Sequence, residues 1–289
     1  MRRRPAPGVR VARSVSPRVE RVSESPATLP VASYADSHVH LASTAFTDEV
    51  DAVIDRARAA GARALVCIGE SPEAAERARA IAARFPGLVH HTCGLHPHDA
   101  AQWDPSVHPE AIRDAVRLGA VAVGECGLDY HYDHAPREVQ RRTLDAHLAL
   151  AAELDRPIVL HTREAEDDTR DMLRAAASAG VRGVLHCFTG SASLALVGLD
   201  AGWSVSFSGI ITFRNWHDES LLALVPDDRL LVESDAPYLA PIPNRGKRNE
   251  PAWVPHTIRR LAAARGATAD ALAALTLRNT QRFFRLPTE

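Results

Sequence analysis

The chain has 289 residues, 46% of them hydrophobic, which suits one large domain or two small ones with a sizeable core. No apolar run approaches the roughly 18 residues that span a bilayer, so the composition excludes a membrane-spanning protein. The formal net charge is −2, with +5 over residues 1–30 and −7 over the remainder. The mildly acidic body excludes a broad basic platform for nucleic acid.

Residues 1–30 are rich in Arg, Pro, Ser and Val and show no hydrophobic periodicity. They lack the apolar stretch of a secretory signal, although the arginines faintly suggest a transit peptide. A disordered tail, or a start codon assigned too far upstream, is the favoured interpretation. We therefore expect a disordered tail over residues 1–30 and a single domain over residues 31–289.

From Tyr34 onward, short apolar runs alternate with amphipathic stretches. The runs predict eight strands, at Tyr34–His40, Ala64–Gly69, Leu88–Cys93, Val121–Glu125, Ile158–His161, Gly183–Cys187, Trp203–Phe207 and Leu230–Glu233. The intervening stretches predict helices at Asp48–Ala60, Pro72–Phe85, Pro109–Leu118, Arg137–Leu154, Glu164–Ala179, Ser193–Ala201 and Asp218–Leu224, with two more near Trp253–Arg265 and Ala269–Phe284.

Strands that alternate with helices predict a parallel sheet, and eight of them predict an α/β protein that closes into a single (β/α)8 TIM barrel. A doubly wound open sheet is the competing architecture. It is disfavoured because no glycine-rich phosphate loop follows the first strand.

Four cysteines are present, and none belongs to a C-x-x-C pair. Each lies near the end of an apolar run, which predicts buried, reduced thiols and a cytoplasmic protein. They are Cys67, Cys93, Cys126 and Cys187.

Polar residues end several predicted strands. His38 and His40 end the first, and residues two apart share a face in a strand but not in a helix. An H-x-H pair is a weak signal by itself, since one core and one surface histidine would give the same pattern. Glu125, at the end of an apolar run, needs compensation for the burial of its charge, and a metal ion would supply it. His161, His186 and Asp235 follow three further strands.

Together these six residues lie where parallel barrels hold their active sites, at the carboxyl ends of the strands. Imidazole and carboxylate groups suit divalent ions such as Zn²⁺ or Mn²⁺. Six ligands exceed a tetrahedral site and fit two ions that share a bridging ligand. In related two-metal barrels a carbamylated lysine often bridges the ions. Here the sole lysine, Lys247, lies past the last strand, so Glu125 is the expected bridging ligand. We predict that His38, His40 and Asp235 hold one ion, and that His161 and His186 hold the other.

The order and spacing of these motifs resemble the TatD family of metal-dependent deoxyribonucleases over about residues 34–284. The shared segments are DSHVH (36–40), CGLHPH (93–98), GECGLDY (124–130), HTR (161–163), HCFTG (186–190), ESDAPYL (233–239) and NRGKRNEP (244–251). The resemblance implies a TIM-barrel phosphodiesterase with two divalent ions (Mg, Mn or Zn) and 3′→5′ exonuclease action on a DNA strand end. The family's metal positions fall on the same six residues. No membrane and no obligate protein partner are expected.

Catalysis is assigned to two of the predicted ligands, Asp235 as a general base and Glu125.

Other polar residues at the same end of the barrel are candidates for substrate binding. Of His96 and His98, which follow the third strand, one is predicted to donate a hydrogen bond to substrate phosphate, His96 before His98, with a structural turn as the alternative. Arg163 is predicted to clamp phosphate, with a salt bridge to Glu164 or Glu166 as the alternative.

Three features remain open or depart from the family pattern. The basic segment Arg245–Arg248 suits either a nucleic-acid contact or a solvated loop. His131 and His134 are extra histidines, either on the surface or in contact with substrate, and the arginine-rich tail looks foreign to the family. Asn279 and Phe283 are interpreted as packing and capping residues.

Two other functions compete with a nuclease. The same metal site would hydrolyse an amide, lactone or ester bond, including the ester of a D-aminoacyl-tRNA. A non-catalytic barrel kept as a binding scaffold is the third hypothesis, and the complete ligand set argues against it.

Overall fold

The computed structural model describes residues 31–287, and the predicted tail at residues 1–30 lies outside that range. Eight parallel strands alternate with helices along the described chain. The strands are β1 Tyr34–Val39, β2 Ala62–Cys67, β3 Val89–His91, β4 Val123–Asp129, β5 Ile158–Arg163, β6 Gly183–Leu185, β7 Ser204–Phe207 and β8 Leu230–Val232.

Seven helices connect or follow these strands, and two more end the described chain. They are α1 Val50–Ala59, α2 Pro72–Arg84, α3 His108–Arg117, α4 Arg137–Leu154, α5 Glu166–Ser178, α6 Ala192–Asp200, α7 Glu219–Leu224, α8 Val254–Arg265 and α9 Ala269–Phe284. None of the helices between residues 31 and 287 combines the length and apolarity needed to cross a membrane.

Local sequence signals explain where several helices begin and end. The Ser71 hydroxyl accepts a hydrogen bond from the Ala74 amide at the start of α2, where Pro72 occupies the first turn. Thr268 caps α9 in the same way, and Gly266 ends α8 in the left-handed conformation. These caps supply partners for backbone groups that the helices leave unpaired.

The strands form two ladders, β1-β2-β3 and β4-β5-β6-β7-β8. A backbone bridge between Cys93 and Val123 joins β3 to β4. On the other side, the Asp235 amide donates to the His38 carbonyl at 3.0 Å and the His40 amide donates to the Ala236 carbonyl at 2.8 Å. These contacts close the predicted (β/α)8 barrel, and the open doubly wound sheet is wrong.

Helix α9 covers the amino ends of the strands. Phe283 and Phe284 pack in one apolar cluster with residues such as Ala35 and Val159, each the second residue of its strand. The Asn279 side-chain amide donates to the Asp227 and Leu230 carbonyls at 2.6 and 2.9 Å. Asn279 and Phe283 therefore pack and cap this end, as predicted, and leave the carboxyl ends of the strands open.

Candidate metal centre

The six predicted ligands meet at the carboxyl ends of the strands. His38 lies in β1, Glu125 in β4 and His161 in β5, whereas His40, His186 and Asp235 follow β1, β6 and β8 directly or within three residues. All are buried except His161, which is partly buried. The barrel thus brings together side chains that are far apart in sequence.

One group of candidate ligand atoms surrounds Oε2 of the Glu125 carboxylate. The Nε2 atoms of His38 and His40 lie 3.1 Å apart, and they lie 3.3 and 3.7 Å from Glu125 Oε2. Asp235 Oδ1 lies 3.7 Å from His38 Nε2 and 3.3 Å from His40 Nε2. Ligands about 2.0–2.1 Å from one tetrahedral ion are separated by about 3.3 Å, so this spacing suits a divalent cation.

A second group surrounds the other oxygen of the same carboxylate. Glu125 Oε1 lies 2.9 Å from His186 Nε2, 3.3 Å from His161 Nδ1 and 3.4 Å from His96 Nε2. The carboxylate of Glu125 therefore faces both groups, with one oxygen toward each.

The chemistry of the donor set fits a divalent metal. Glu125 is 2% exposed, and its Oε2 has no hydrogen-bond partner within residues 31–287. Burial by itself raises the pKa of this carboxyl, but the imidazoles of His186, His96 and His38 outweigh it and hold the pKa well below its ordinary range. A buried carboxylate in a ring of imidazoles is costly without a cation, and these ligand types bind divalent transition ions.

Three further carboxylates lie behind the histidines, on the ring nitrogens that face away from Glu125. Glu70 lies 2.8 Å from His40 Nδ1, and Glu233 lies 3.3 Å from His186 Nδ1. Asp129 Oδ2 lies 3.1 Å from His161 Nε2. Carboxylates in this position fix the orientation of the imidazole and raise its basicity toward a metal.

None of these three carboxylates was selected from the sequence. Asp129 and Glu233 belong to segments that were already singled out, and Glu70 follows the end of β2 by three residues. An acidic residue at or just after the end of an apolar run, the signal that identified Glu125, was available for Glu70 and Glu233, whereas Asp129 lies four residues beyond the predicted run. What the sequence lacks is the pairing, since each carboxylate comes from a different strand than its histidine.

Asp36 gives the first motif a structural function. It is fully buried, and its Oδ1 accepts hydrogen bonds from the His38 and Ser234 amides at 3.2 and 2.9 Å. Burial raises the pKa of this carboxyl to about 8, despite these hydrogen bonds. Asp36 thereby ties the segment that carries His38 to the segment that carries Asp235.

His96 lies within the second group of ligand atoms rather than at the rim of the site, since its Nε2 faces Glu125. The turn that carries it is held from α4: His147 is buried, donates through Nδ1 to the Thr143 carbonyl at 2.7 Å, and accepts the Leu95 amide on Nε2 at 3.1 Å. This position allows His96 two functions. It can contact substrate phosphate, as expected, or it can act as a further metal ligand.

Arg163 lies at the mouth of the site, with its Cζ 4.9 Å from the centre of the Tyr132 ring. The alternative salt bridge is not formed. Glu164 pairs with His131 at 2.7 Å, and Glu166 accepts hydrogen bonds from Ser191 at 2.6 and 2.7 Å. The guanidinium of Arg163 is therefore free of carboxylates from the described residues.

The centre opens into a cavity of about 630 Å³. Tyr132 and Tyr238 line it and are 51% and 58% exposed. Cys187 also lines it and is only partly buried, whereas Cys67, Cys93 and Cys126 are buried and all four thiols are unpaired. The prediction of a buried structural thiol is thus wrong for Cys187, because its strand ends at Leu185, before the cysteine.

The two extra histidines lie beside this cavity. His131 is paired with Glu164, and His134 stacks on Tyr132 with ring centres 5.6 Å apart and planes 16° apart. They surround an exposed tyrosine at the mouth of the site and are not part of the groups around Glu125.

Comparisons with known proteins agree with this geometry. The family model of TatD-related DNases matches residues 35–285. The metal-dependent hydrolase YabD of Bacillus subtilis is 33% identical over 252 residues, which cover 87% of this chain and 98% of YabD. The 3′-5′ ssDNA/RNA exonuclease TatD of Musicola paradisiaca is 38% identical over 257 residues, which cover 87% of this chain and 97% of that protein.

A solved structure shows the same fold. The TatD homologue YjjV of Escherichia coli superimposes with a TM-score of 0.82 at 29% identity, over 89% of this chain and all of YjjV. The sequence relationship and the architecture point to the same family, which the motifs had indicated.

Proposed function

This chain belongs to the family of TatD-related DNases and is a metal-dependent hydrolase, and from that premise we propose that it cleaves phosphodiester bonds at the 3′ end of a DNA strand. The observation that carries the proposal is the carboxylate of Glu125, which faces one group of ligand atoms with each oxygen. A relative at 38% identity carries the name of a 3′-5′ exonuclease for single-stranded DNA and RNA.

We propose that the centre holds two divalent ions, Mg²⁺, Mn²⁺ or Zn²⁺. His38, His40 and Asp235 would hold the first, His161 and His186 the second, and Glu125 would bridge them. When bound, such ions neutralise phosphate charge and make water a stronger nucleophile near neutral pH. Glu70, Asp129 and Glu233 would orient the histidines, each through the ring nitrogen that faces away from the centre.

The remaining chemistry is assigned to side chains of the cavity. Asp235 presents Oδ1 to the histidines, which leaves its other oxygen to accept a proton from the attacking water. Arg163 is unpaired at the mouth and would bind non-bridging phosphate oxygens with its planar guanidinium. His96 would contact the same phosphate group or complete the second group of ligands.

The charge distribution supports a strand end rather than a broad duplex surface. The chain beyond residue 30 carries a net charge of −7, which counts against the extended basic stripe that duplex binding normally needs. An exonuclease that grips one end needs positive charge only at the centre and nearby. The unpaired state of all four cysteines supports a reducing compartment, and we propose the cytoplasm.

The test is cleavage of end-labelled single-stranded DNA by the purified protein with Mg²⁺, Mn²⁺ or Zn²⁺. We expect products shortened from the 3′ end, lost with EDTA and in the Glu125→Ala variant. An Arg63→Gln variant serves as a control, because Arg63 is exposed at the start of β2, the opposite end of the barrel. Intact DNA beside turnover of a panel of carboxylic esters, lactones and amides would overturn the proposal and favour a different hydrolase.

A further inference from the structure

We propose that a second cavity, next to the metal centre, binds a nucleotide of the single-stranded substrate away from the bond that is cleaved. The cavity measures about 550 Å³ and is lined by Phe213, Arg214, Asn215, Ile242, Pro243 and Arg245. Its volume falls in the range of small-ligand sites, about 300–1,000 Å³. This inference rests on the proposed function and extends it to the recognition of the strand.

The same two loops line both cavities. The loop after β7 places Ile210 in the metal cavity and Phe213 in the second one. The loop after β8 places Leu239 in the metal cavity and Ile242 in the second one. A strand that leaves the metal centre along these loops therefore reaches the second cavity directly.

The two loops are held against each other. The Ile242 amide donates to the Thr212 hydroxyl at 2.9 Å. Gly209 lies so close to the other loop that a Cβ on it would be 2.3 Å from the Leu239 carbonyl oxygen. The second cavity therefore has fixed walls rather than two independent loops.

Positive charge in this cavity is not neutralised. Arg245 lies over the Phe213 ring, with Cζ 3.8 Å from the ring centre, and both Arg214 and Arg245 are exposed. Neither has a carboxylate partner in the part of the chain that the structure describes. The neighbouring Arg248, by contrast, is paired with Glu49 at 2.8 Å and is unavailable.

The acidic residues of these loops are already engaged. Asp218 accepts the Leu221 amide at the start of α7, and Glu219 pairs with Arg260. Glu250 pairs with Arg56 at 2.7 Å. The cavity is thus a local positive site on an acidic body. Within the basic segment at residues 245–248, Arg245 lacks a carboxylate partner among the described residues, whereas Arg248 is paired with Glu49.

This combination of groups matches a nucleotide. A guanidinium group can bind two phosphate oxygens at once through two parallel hydrogen bonds. The guanidinium of Arg245 is held over the Phe213 ring and is therefore already oriented for that contact. Phe213, Ile242 and Pro243 provide an apolar surface on which a base packs, which is how single strands are bound without sequence preference. A single strand exposes its bases for such packing, and a duplex does not.

Fluorescence anisotropy tests the inference with a labelled oligothymidylate of about 16 nucleotides, the full-length protein and EDTA, so that binding is measured without cleavage. In the Arg214→Gln, Arg245→Gln double variant we expect the Kd to rise about 10-fold at low salt. The slope of log Kd against log salt should fall by about 1.4, since each phosphate contact to a single strand contributes about 0.7.

Arg63→Gln is the matched control and should keep the wild-type slope. The seven arginines of residues 1–30 are present in every protein compared, so only differences between variants are interpreted. An unchanged slope in the double variant overturns the inference, as does a wild-type protein that fails to bind the oligonucleotide at low salt.

Cleavage assays separate this inference from the proposed function. With the metal ion restored, the double variant should lower kcat/KM for the oligonucleotide about 10-fold relative to kcat/KM for bis(p-nitrophenyl) phosphate, a small diester that reaches only the metal centre. An equal loss on both substrates would overturn the second cavity as a subsite. A protein that binds the strand with the expected slopes but cleaves no phosphodiester would retain the subsite and overturn the nuclease.

Discussion

Asp129 and His161 form a pair in which the carboxylate lies behind the imidazole. Asp129 Oδ2 is 3.1 Å from His161 Nε2, while Nδ1 of the same ring is 3.3 Å from Glu125. Asp129 is itself held by the amides of His131 and Tyr132 at 3.0 and 2.9 Å. The orientation of His161 toward the centre thus depends on a carboxylate that is outside the set of predicted ligands.

We expect Asp129→Asn to weaken metal binding by about 10–100-fold, because the amide orients and polarises the imidazole less well than the carboxylate. Competition with a fluorescent chelator measures the affinity. Asp167→Asn is the control, since Asp167 lies on the exposed side of α5. Unchanged affinity in Asp129→Asn would show that His161 needs no support from this side.

We expect Asp235→Asn to reduce hydrolysis by at least about 100-fold while the barrel remains folded, because an amide cannot accept the proton of the attacking water. Steady-state turnover and circular dichroism are measured on the same samples, beside the control Asp200→Asn, since Asp200 is exposed at the end of α6. A large drop in the thermal midpoint of EDTA-treated Asp235→Asn, relative to EDTA-treated wild type, would instead assign this residue a structural function.

We expect Zn²⁺ or Mn²⁺ added to EDTA-treated protein to raise the thermal midpoint. At a free-ion concentration of about 100 Kd, binding to the folded state alone contributes about 2.7 kcal/mol, which corresponds to roughly 5–10 °C. Differential scanning fluorimetry measures the shift. His38→Gln should lose most of it and His217→Gln, an exposed histidine, should keep it. Equal shifts in both variants would mean that the ion binds elsewhere.

We expect stability to fall in acid through His147, whose pKa burial lowers from 6.5 to about 4. Between pH 6.5 and about pH 4, His147 is protonated in the unfolded chain but stays neutral in the folded protein. The free energy of unfolding therefore decreases as the pH falls through this range. The difference between wild type and His147→Gln in urea titrations should change by up to about 3 kcal/mol across that range. A constant difference would contradict a neutral, buried His147.

We expect Gly127→Ala to destabilise the barrel by about 3 kcal/mol or more beyond Gly180→Ala. Both glycines have positive φ, 149° and 70°, but a Cβ on Gly127 would lie 2.0 Å from the His161 carbonyl oxygen, and one on Gly180 has no neighbour within 4 Å. The difference combines steric overlap with β5 and the greater backbone strain of an alanine at φ 149°, since 70° lies near the left-handed region that other residues can adopt. Chemical denaturation measures both variants, and equal losses would exclude the overlap.

The sequence predicted the alternation of strands and helices well where local signals are strong. Helices α4 and α9 have the predicted bounds, and α9 is delimited by a threonine cap and a left-handed Arg285. Strand β4 was predicted to end at Glu125, whereas it continues to Asp129. An apolar run does not identify the full length of a strand when some of its buried residues are charged, as Glu125 and Asp129 are here.

The six predicted ligands could be selected from the sequence because strand-end position is itself a local property. The pairing of each outer carboxylate with its histidine and the second cavity could not be predicted, because both depend on which segments the closed barrel brings together. Arg245 and Arg248 illustrate this difference. They belong to one basic segment, yet Phe213 holds one and Glu49 pairs with the other, and no local pattern distinguishes them.

Closure of the barrel is made by segments that carry predicted ligands, those of His38, His40 and Asp235. Asp36 and Ser234 are 198 residues apart in the chain, and their hydrogen bond joins the neighbourhoods of His38 and Asp235. A ribosome must therefore have released nearly all of the barrel before the ligand set exists. Loading of the ion that Asp235 would hold is then a late event, so the ions available to the nearly complete barrel would determine which one the enzyme acquires.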